Sequence, residues 1–252
     1  MELGLSNKKV LIVGASKGIG KSIALQFAKE GSQIFCIARS EDILIELINE
    51  ANQINGLDNY YKVADLMKES PNLIASELLN LYGTFDIVIH NVGGSLVSRN
   101  YLGTIDEWKE AWMFNSGIAI DMNNKLVQPM IDKGWGRVIH ISSISAEMLR
   151  GNPLYASSKA FLNAYVKTVG RSIAKTGVIM SAVMPGAVAF PGSYWDKYLT
   201  EDPLRCSDFL THHQAVNRFG TPDEIANVVI FLASEKSSFM QASIVPVDGA
   251  NM

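Results

Sequence analysis

Tyr155 and Lys159 stand four residues apart in the run Tyr155-Ala156-Ser157-Ser158-Lys159. On a helix that spacing puts both side chains on one face, about one turn apart. A phenol that titrates near 10 carries protons poorly at neutral pH, and an adjacent ammonium stabilises the phenolate and lowers that value. The pair therefore reads as a tuned proton carrier. A second constellation, Gly14-Ala15-Ser16-Lys17-Gly18-Ile19-Gly20, lies near the start of the chain. Three glycines let a strand turn sharply, bring backbone close to a pyrophosphate and pack a helix tightly on the strand. A helix opening at such a loop aims free N–H groups and the positive end of its dipole at phosphates.

These groups need a frame, and the chain supplies one by alternating short apolar runs with stretches of helical period. Residues 10–13 are continuously apolar and stop at Gly14, as a strand buried on both faces does. Residues 18–30 put Ile19, Ile23, Phe27 and Ala28 on one stripe and stop at Gly31, a helix-ending glycine. Strands are expected at 33–38, 61–64, 86–90, 137–141, 178–184 and 243–247, and helices at 41–55, 71–82, 105–133, 153–175 and 222–234. After Pro185-Gly186 the periodicity fails, with Tyr194, Trp195, Tyr198, Phe209, His212 and His213 scattered among polar groups, so about 190–215 is expected to be a substrate loop. The pattern predicts an α/β fold, a three-layer doubly wound parallel sheet (Rossmann fold), with residues 1–252 forming a single domain. No internal repeat or low-complexity tract interrupts it.

Further motifs follow in order. His90-Asn91-Val92-Gly93 ends the strand at 86–90, Asn115 lies within the helix at 105–133, and Ser142-Ser143 follows the strand at 137–141. Pro185-Gly186 and Val247-Asp248-Gly249-Ala250 come after the Tyr155 helix. With the wide G-x-x-x-G-x-G loop, this ordered set resembles the short-chain dehydrogenase/reductase family over nearly the whole chain. His90 stands where the family has the first Asn of N-N-A-G. The resemblance implies an oxidoreductase that moves hydride between a nicotinamide and a carbonyl or secondary alcohol, with Tyr155 as general acid for reduction or base for oxidation. It implies that Lys159 tunes Tyr155 and holds the nicotinamide ribose, and that Asn115 completes a water-mediated proton path to Lys159. A serine hydroxyl would hold the substrate oxygen. The family uses the second serine of the pair, commonly thirteen residues before the tyrosine; here Ser143 is twelve before it and Ser142 thirteen. Ser143 is taken as catalytic, with a one-residue loop deletion, and Ser142 is the alternative.

By the same resemblance the cofactor is contacted by Gly14, Ser16, Lys17, Gly18, Ile19, Gly20, Asp65, Leu66, Asn91, Gly93, Tyr155, Lys159, Pro185, Gly186 and Val188. Its identity can be argued from charge. An NAD-selective site carries an acid at the end of the second strand, which would repel a 2′-phosphate. Ala38-Arg39-Ser40 stands there, with Lys17 in the glycine loop, and two cations without an acid favour NADP(H), with NAD(H) as the alternative. Within the family the chain most resembles 3-oxoacyl carrier-protein reductases. Their carrier-docking basic positions are Gly134 and Thr176 here, with Lys133 and Lys175 beside them. The family's frequent Thr after Pro-Gly is Phe190. Substrate contacts are expected from Ser95, Leu96, Met148, Leu149 and the 190–210 segment, including Tyr194, Trp195 and Arg205.

Composition narrows the alternatives. Two hundred and fifty-two residues suffice for a full core without metal or disulfides, and 48% apolar with 19% charged residues is the composition of a folded chain. A net charge of −3 without a basic block offers nothing to nucleic acid or to anionic lipid. The N-terminus is too polar for a signal peptide, no apolar run reaches about 18 residues, and Cys36 and Cys206 form no CxxC, so a cytoplasmic location is expected. The four histidines show no H-E-x-x-H and no metal is expected; G-x-S-x-G is absent. The apolar excess and the charge-free stretch 111–120 resemble the family's subunit interface, implying a homodimer or homotetramer. A sugar, polyol or steroid-like alcohol dehydrogenase is the rival enzyme reading. A non-catalytic dinucleotide sensor is the rival of another class, against which stand both Tyr155 and Lys159.

Overall fold

The computed structural model describes residues 2–95, 101–149 and 151–251. Seven strands run β1 (Lys9–Val13), β2 (Gln33–Ala38), β3 (Tyr60–Val63), β4 (Ile87–His90), β5 (Gly136–Ile141), β6 (Val178–Pro185) and β7 (Ile244–Val247). They form one sheet in the order β3-β2-β1-β4-β5-β6-β7, and every pairing is parallel. Such strands need crossovers that cover both faces, which is why β4, β5 and β6 are buried along their whole length.

The helices are α1 (Gly18–Lys29), α2 (Glu41–Asn55), α3 (Pro71–Tyr82), α4 (Ile105–Trp112), α5 (Ile118–Lys133), α6 (Ser145–Met148), α7 (Pro153–Ser172), α8 (Tyr194–Glu201), α9 (Pro203–His213) and α10 (Pro222–Ala233). On one face Ile12, Ile89, Ile139 and Val183 pack against Phe27 of α1, Leu44 and Leu47 of α2 and Val229 of α10. On the other, Leu11, Val88, Val138 and Met180 pack against Ile74 of α3, Met122 and Leu126 of α5 and Val166 of α7. Each fully buried aliphatic of this kind contributes roughly 1.5–3 kcal/mol. Strand order reverses between β1 and β4, and at that switch point the C-terminal strand ends open into a crevice, the place where open α/β sheets bind ligands.

The expected elements are present, several with the expected bounds, and two differences concern function. The helix expected over 105–133 contains a π-helical segment at Met113–Gly117. The Asn115 side chain donates to Ala111 O, four residues back, at 3.0 Å, and this insertion into the helical ladder accounts for the widened turn. The expected loop at 190–215 instead contains α8 and α9, capped by the side chains of Ser193 and Asp202. Among the described residues no helix is long and apolar enough to cross a membrane, and no three His, Cys, Asp or Glu residues are placed to hold a metal ion.

Candidate active site

A cleft of about 500 Å³ opens at the switch point. The glycine loop forms its floor. Gly14 has a φ of +92°, in the left-handed region that favours glycine, and turns the chain out of β1. A Cβ on Gly20 would strike Gly14 O, so the loop crosses directly over the start of α1. Asn91, just after β4, fixes this crossing by donating to Gly14 O at 2.7 Å. Lys17 precedes α1 in extended conformation and no side chain caps the helix, so its first N–H groups are left as donors. The loop therefore has the shape and the free donors of a phosphate cradle.

Gly14, Ser16, Lys17 and Ile19 line the cleft, while Gly18 and Gly20 shape the loop beneath it. Arg39, Asp65 and Leu66 line one end. Arg39 and Ser40 are exposed, and neither Arg39 nor Lys17 forms an ion pair among the described residues. The Ser40 side chain makes no capping bond to the start of α2. Asp65 lies 3.6 Å from Lys68. Asn91, Gly93, Pro185, Gly186 and Val188 line the middle.

Ser143, Tyr155 and Lys159 line the other end. Tyr155 sits in the first turn of α7, which Asn152 caps by accepting from Leu154 N and Tyr155 N, with Pro153 at the first helical position. The Tyr155 hydroxyl hydrogen-bonds with Ser143, whereas Ser142, which also lines the cleft, has its hydroxyl engaged in donating to Asn163 Oδ1 at 2.6 Å. Burial holds Tyr155 above the ordinary phenol range, and the Ser143 bond offsets this only in part. That corrects the expectation of a phenol lowered by its neighbour. Lys159 Nζ lies 5.9 Å from the Tyr155 ring centre and is directed to Ile141 O, at 2.8 Å. Burial lowers Lys159 itself to about 7. Asn115 lies behind this end rather than in the cleft lining: it accepts from Gly94 N at 2.9 Å and donates to Gly94 O at 3.1 Å. A Cβ on Gly93 would stand 2.8 Å from both Asn115 Oδ1 and Lys159 Nζ, so these two atoms face one small space.

The outer wall is aromatic. Phe190, Tyr194 and Trp195 line the cleft, and Trp195 stacks against Phe209 and Phe219 with ring centres 4.2 and 4.9 Å away. Phe190 rests on Gly18, so the segment after β6 closes against the glycine loop. Arg205 is turned from the cleft, donating to Tyr194 OH at 2.8 Å and packing 4.2 Å from the Tyr198 ring centre. Met148, Leu149 and Ser95 are exposed outside the lining, Leu149 with a positive φ of 53°; Leu96 lies outside the described residues. Sequence reasoning missed Phe114 and Ile118 as lining residues and Ile141 O as the Lys159 acceptor. Nothing in their residue types marks them; only the π segment and the end of β5 bring them in. Lys133, beside a suggested carrier-docking position, pairs with Asp86 at 2.5 Å.

Residues 14–250 match the family model named Enoyl-(Acyl carrier protein) reductase. A 3-oxoacyl-[acyl-carrier-protein] reductase of Aquifex aeolicus is 30% identical over 261 residues, covering 99% of each chain. That of Thermotoga maritima is 28% identical over 249 residues, covering 97% of this chain and 98% of the relative. Among solved structures, L-sorbose reductase from Gluconobacter frateurii, complexed with NADPH and L-sorbose, superposes with a TM-score of 0.91 at 29% identity, covering 99% of this chain and 98% of that one.

Proposed function

The chain belongs to the short-chain dehydrogenase/reductase family, and from that premise we propose that it is an NADP(H)-dependent oxidoreductase reducing a ketone, with Tyr155 as the general acid. The observation that carries this reading is the continuity of one cleft, with the glycine loop and Arg39 at one end and the Ser143–Tyr155 pair at the other. The cleft suits a dinucleotide: its cradle is closed by glycines whose Cβ atoms would fill it, and its far rim holds cations. Gly14, Ser16, Ile19 and the N–H groups of α1 would hold the pyrophosphate. Arg39, Ser40 and Lys17 would hold a 2′-phosphate, with Asp65 and Leu66 beside the adenine. Asn91, Gly93, Pro185, Gly186, Val188 and Lys159 would border the nicotinamide riboside. Bound there, the nicotinamide supplies the hydride in reduction, or accepts it in the reverse direction.

The remaining chemistry belongs to the side chains. Ser143 orients the substrate oxygen and shares the negative charge that develops on it. The Tyr155 phenol, held protonated at neutral pH by its burial, is a donor to that oxygen. Lys159 re-protonates the phenolate side of the site, and Asn115 Oδ1, which faces the same side of Gly93, extends the proton path from it through water. A buried amine near neutrality both gives and takes a proton readily, which suits this role.

The substrate reading that the relatives support first is a 3-oxoacyl thioester. A second reading, a keto-sugar, is favoured by the likeness to L-sorbose reductase and by the aromatic wall of Phe190, Tyr194 and Trp195. The pairing of Lys133 with Asp86 counts against Lys133 as a carrier contact. With the same premise go one domain, a cytoplasmic place and a homodimer or homotetramer; the half-exposed Trp112 and Phe161, ring centres 5.7 Å apart on α4 and α7, suit a subunit contact. The test is NADPH oxidation with acetoacetyl-coenzyme A, L-sorbose and aryl ketones. Tyr155→Phe is expected to lose turnover while still quenching or enhancing NADPH fluorescence on binding. Turnover that survives in Tyr155→Phe refutes the mechanism.

A further inference from the structure

Beneath the catalytic end lies a buried polar chain that the proposed chemistry does not use. His90, the last residue of β4, and His140 of β5 are register partners, and their rings stack with centres 5.0 Å apart. Both are buried, as is Asn123 of α5 above them. Asn123 Oδ1 lies 2.9 Å from His90 Nε2, and Asn123 Nδ2 lies 3.2 Å from His140 Nε2 and 3.2 Å from Tyr165 OH of α7. His140 Nδ1 lies 3.3 Å from Ser181 O of β6.

These contacts fix every proton. Ser181 O only accepts, so His140 carries its proton on Nδ1 and offers a bare Nε2. That nitrogen accepts from Asn123 Nδ2, which turns Oδ1 toward His90 and requires a proton on His90 Nε2. His90 Nδ1 is then an unprotonated nitrogen, and among the described residues it has no partner. A further proton would fit neither ring. On His140 it would set N–H against the Asn123 amide N–H, and on His90 it would create a buried donor without an acceptor. Burial lowers both imidazoles, His90 to about 4, in keeping with this geometry. The titratable groups facing His140 are His90, Tyr165 and Lys159.

The chain joins the four elements that hold the site. β4 leads into Asn91 and Gly93, β5 ends in Ile141 O and the serines, α5 continues from the segment carrying Asn115, and α7 carries Tyr155 and Lys159. Ile141 O, the acceptor of Lys159, is in the residue next to His140. We propose that Asn123 is a positioning residue for this site: by holding His90 and His140 in fixed neutral tautomers it sets the end of β5 that anchors Lys159 and keeps a second positive charge away from that lysine. The inference rests on the reading of Tyr155 and Lys159 as the proton-transferring pair.

Two measurements test it. In the wild-type protein, imidazole ¹⁵N spectra are expected to show His90 protonated on Nε2 and His140 on Nδ1, neither titrating between about pH 5 and 8. Either ring titrating in that window, or the opposite tautomers, overturns the proposal without any variant. In Asn123→Asp the new carboxylate can only accept, so His140 must carry both protons and titrates near or above neutrality. The kcat profile against pH, measured with NADPH and whichever of acetoacetyl-coenzyme A or L-sorbose is reduced, then gains an ionisation. At its optimum kcat falls roughly 10- to 100-fold, well beyond any loss of NADPH affinity, most of which rests on the glycine loop and Arg39 at the far end of the cleft. An Asn123→Asp protein with the wild-type kcat profile overturns the positioning role. Tyr155→Phe measured beside it separates the two levels: if it is inactive while Asn123→Asp is unaltered, only the positioning role fails, whereas if it is active the reading beneath fails.

Discussion

Lys159→Met isolates what the site costs the fold. Lys159 is buried with one hydrogen bond, to Ile141 O, and among the described residues no carboxylate pairs with it. Its fall from 10.5 to about 7 in the folded protein corresponds to about 5 kcal/mol of destabilisation, at ~1.4 kcal/mol for each tenfold loss of proton affinity. Methionine has similar length, needs no solvation and leaves only Ile141 O without its donor, a loss of roughly 1–3 kcal/mol. The cofactor-free variant should therefore be inactive yet about 2–4 kcal/mol more stable than wild type at pH 7. The pH dependence gives a sharper reading. Between 7 and 10.5 the unfolded lysine holds a proton that the folded one has released, so wild-type stability rises with pH across that window, and the variant lacks this rise. Urea melts at pH 7 and about pH 9.5 measure it, with the gap between the proteins narrowing by about 3 kcal/mol. A variant less stable than wild type at pH 7, or a gap that does not change with pH, would show that Lys159 is not held against a desolvation cost.

Other consequences follow from the same geometry. Ser143→Ala should lower kcat about 10²- to 10³-fold; Ser142→Ala, which removes only the bond to Asn163, should cost about 1 kcal/mol of stability and leave kcat within severalfold, and a reversed order in steady-state kinetics would give the catalytic role to Ser142. Arg39→Ala should weaken NADPH roughly 10- to 100-fold and leave NADH nearly unchanged, as read by fluorescence titration; equal losses for both would remove Arg39 from 2′-phosphate recognition. Acid should unfold the protein through His90. Its folded value of about 4 lies below the ordinary 6.5, so the unfolded state takes the proton first, and His90 alone removes about 3 kcal/mol of stability as pH drops from 6.5 to 4, with His140, lowered in the same direction, adding to the fall. Urea melts across that range check this, and a flat response would contradict the burial of a neutral ring.

Much of the frame is legible because its signals are local. The bounds of β2, α2 and α3 match expectation: a continuous apolar run needs no context, and Ser70-Pro71 announces the start of a helix. The glycine loop and the Tyr155–Lys159 pair are likewise local, so their places in the cleft could be read in advance. The 190–215 segment is harder to read because α8 and α9 are short and bury almost nothing, only Cys206, while the partly buried rings of Trp195, Phe209 and Phe219 close on one another. Ser193 and Asp202-Pro203 were the available signs. The state of Tyr155 depends on where Lys159 points, and helical spacing says only that the two share a face. His90 and His140 stand fifty residues apart and become neighbours only through the register of β4 on β5.

The contact of Phe190 with Gly18 joins two places that the chain otherwise keeps far apart. A side chain at 18 meets the ring, and the φ of +55° at Gly18 disfavours one whatever stands at 190, so glycine there is held by backbone and by packing together. Among natural homologues, bulk at 190 should accompany glycine at 18, and a relative that has gained a side chain at 18 should have surrendered the ring. Chimaeras that exchange the 14–20 loop should tolerate any residue at 190 while position 18 stays glycine, and should need a smaller residue at 190 when it does not.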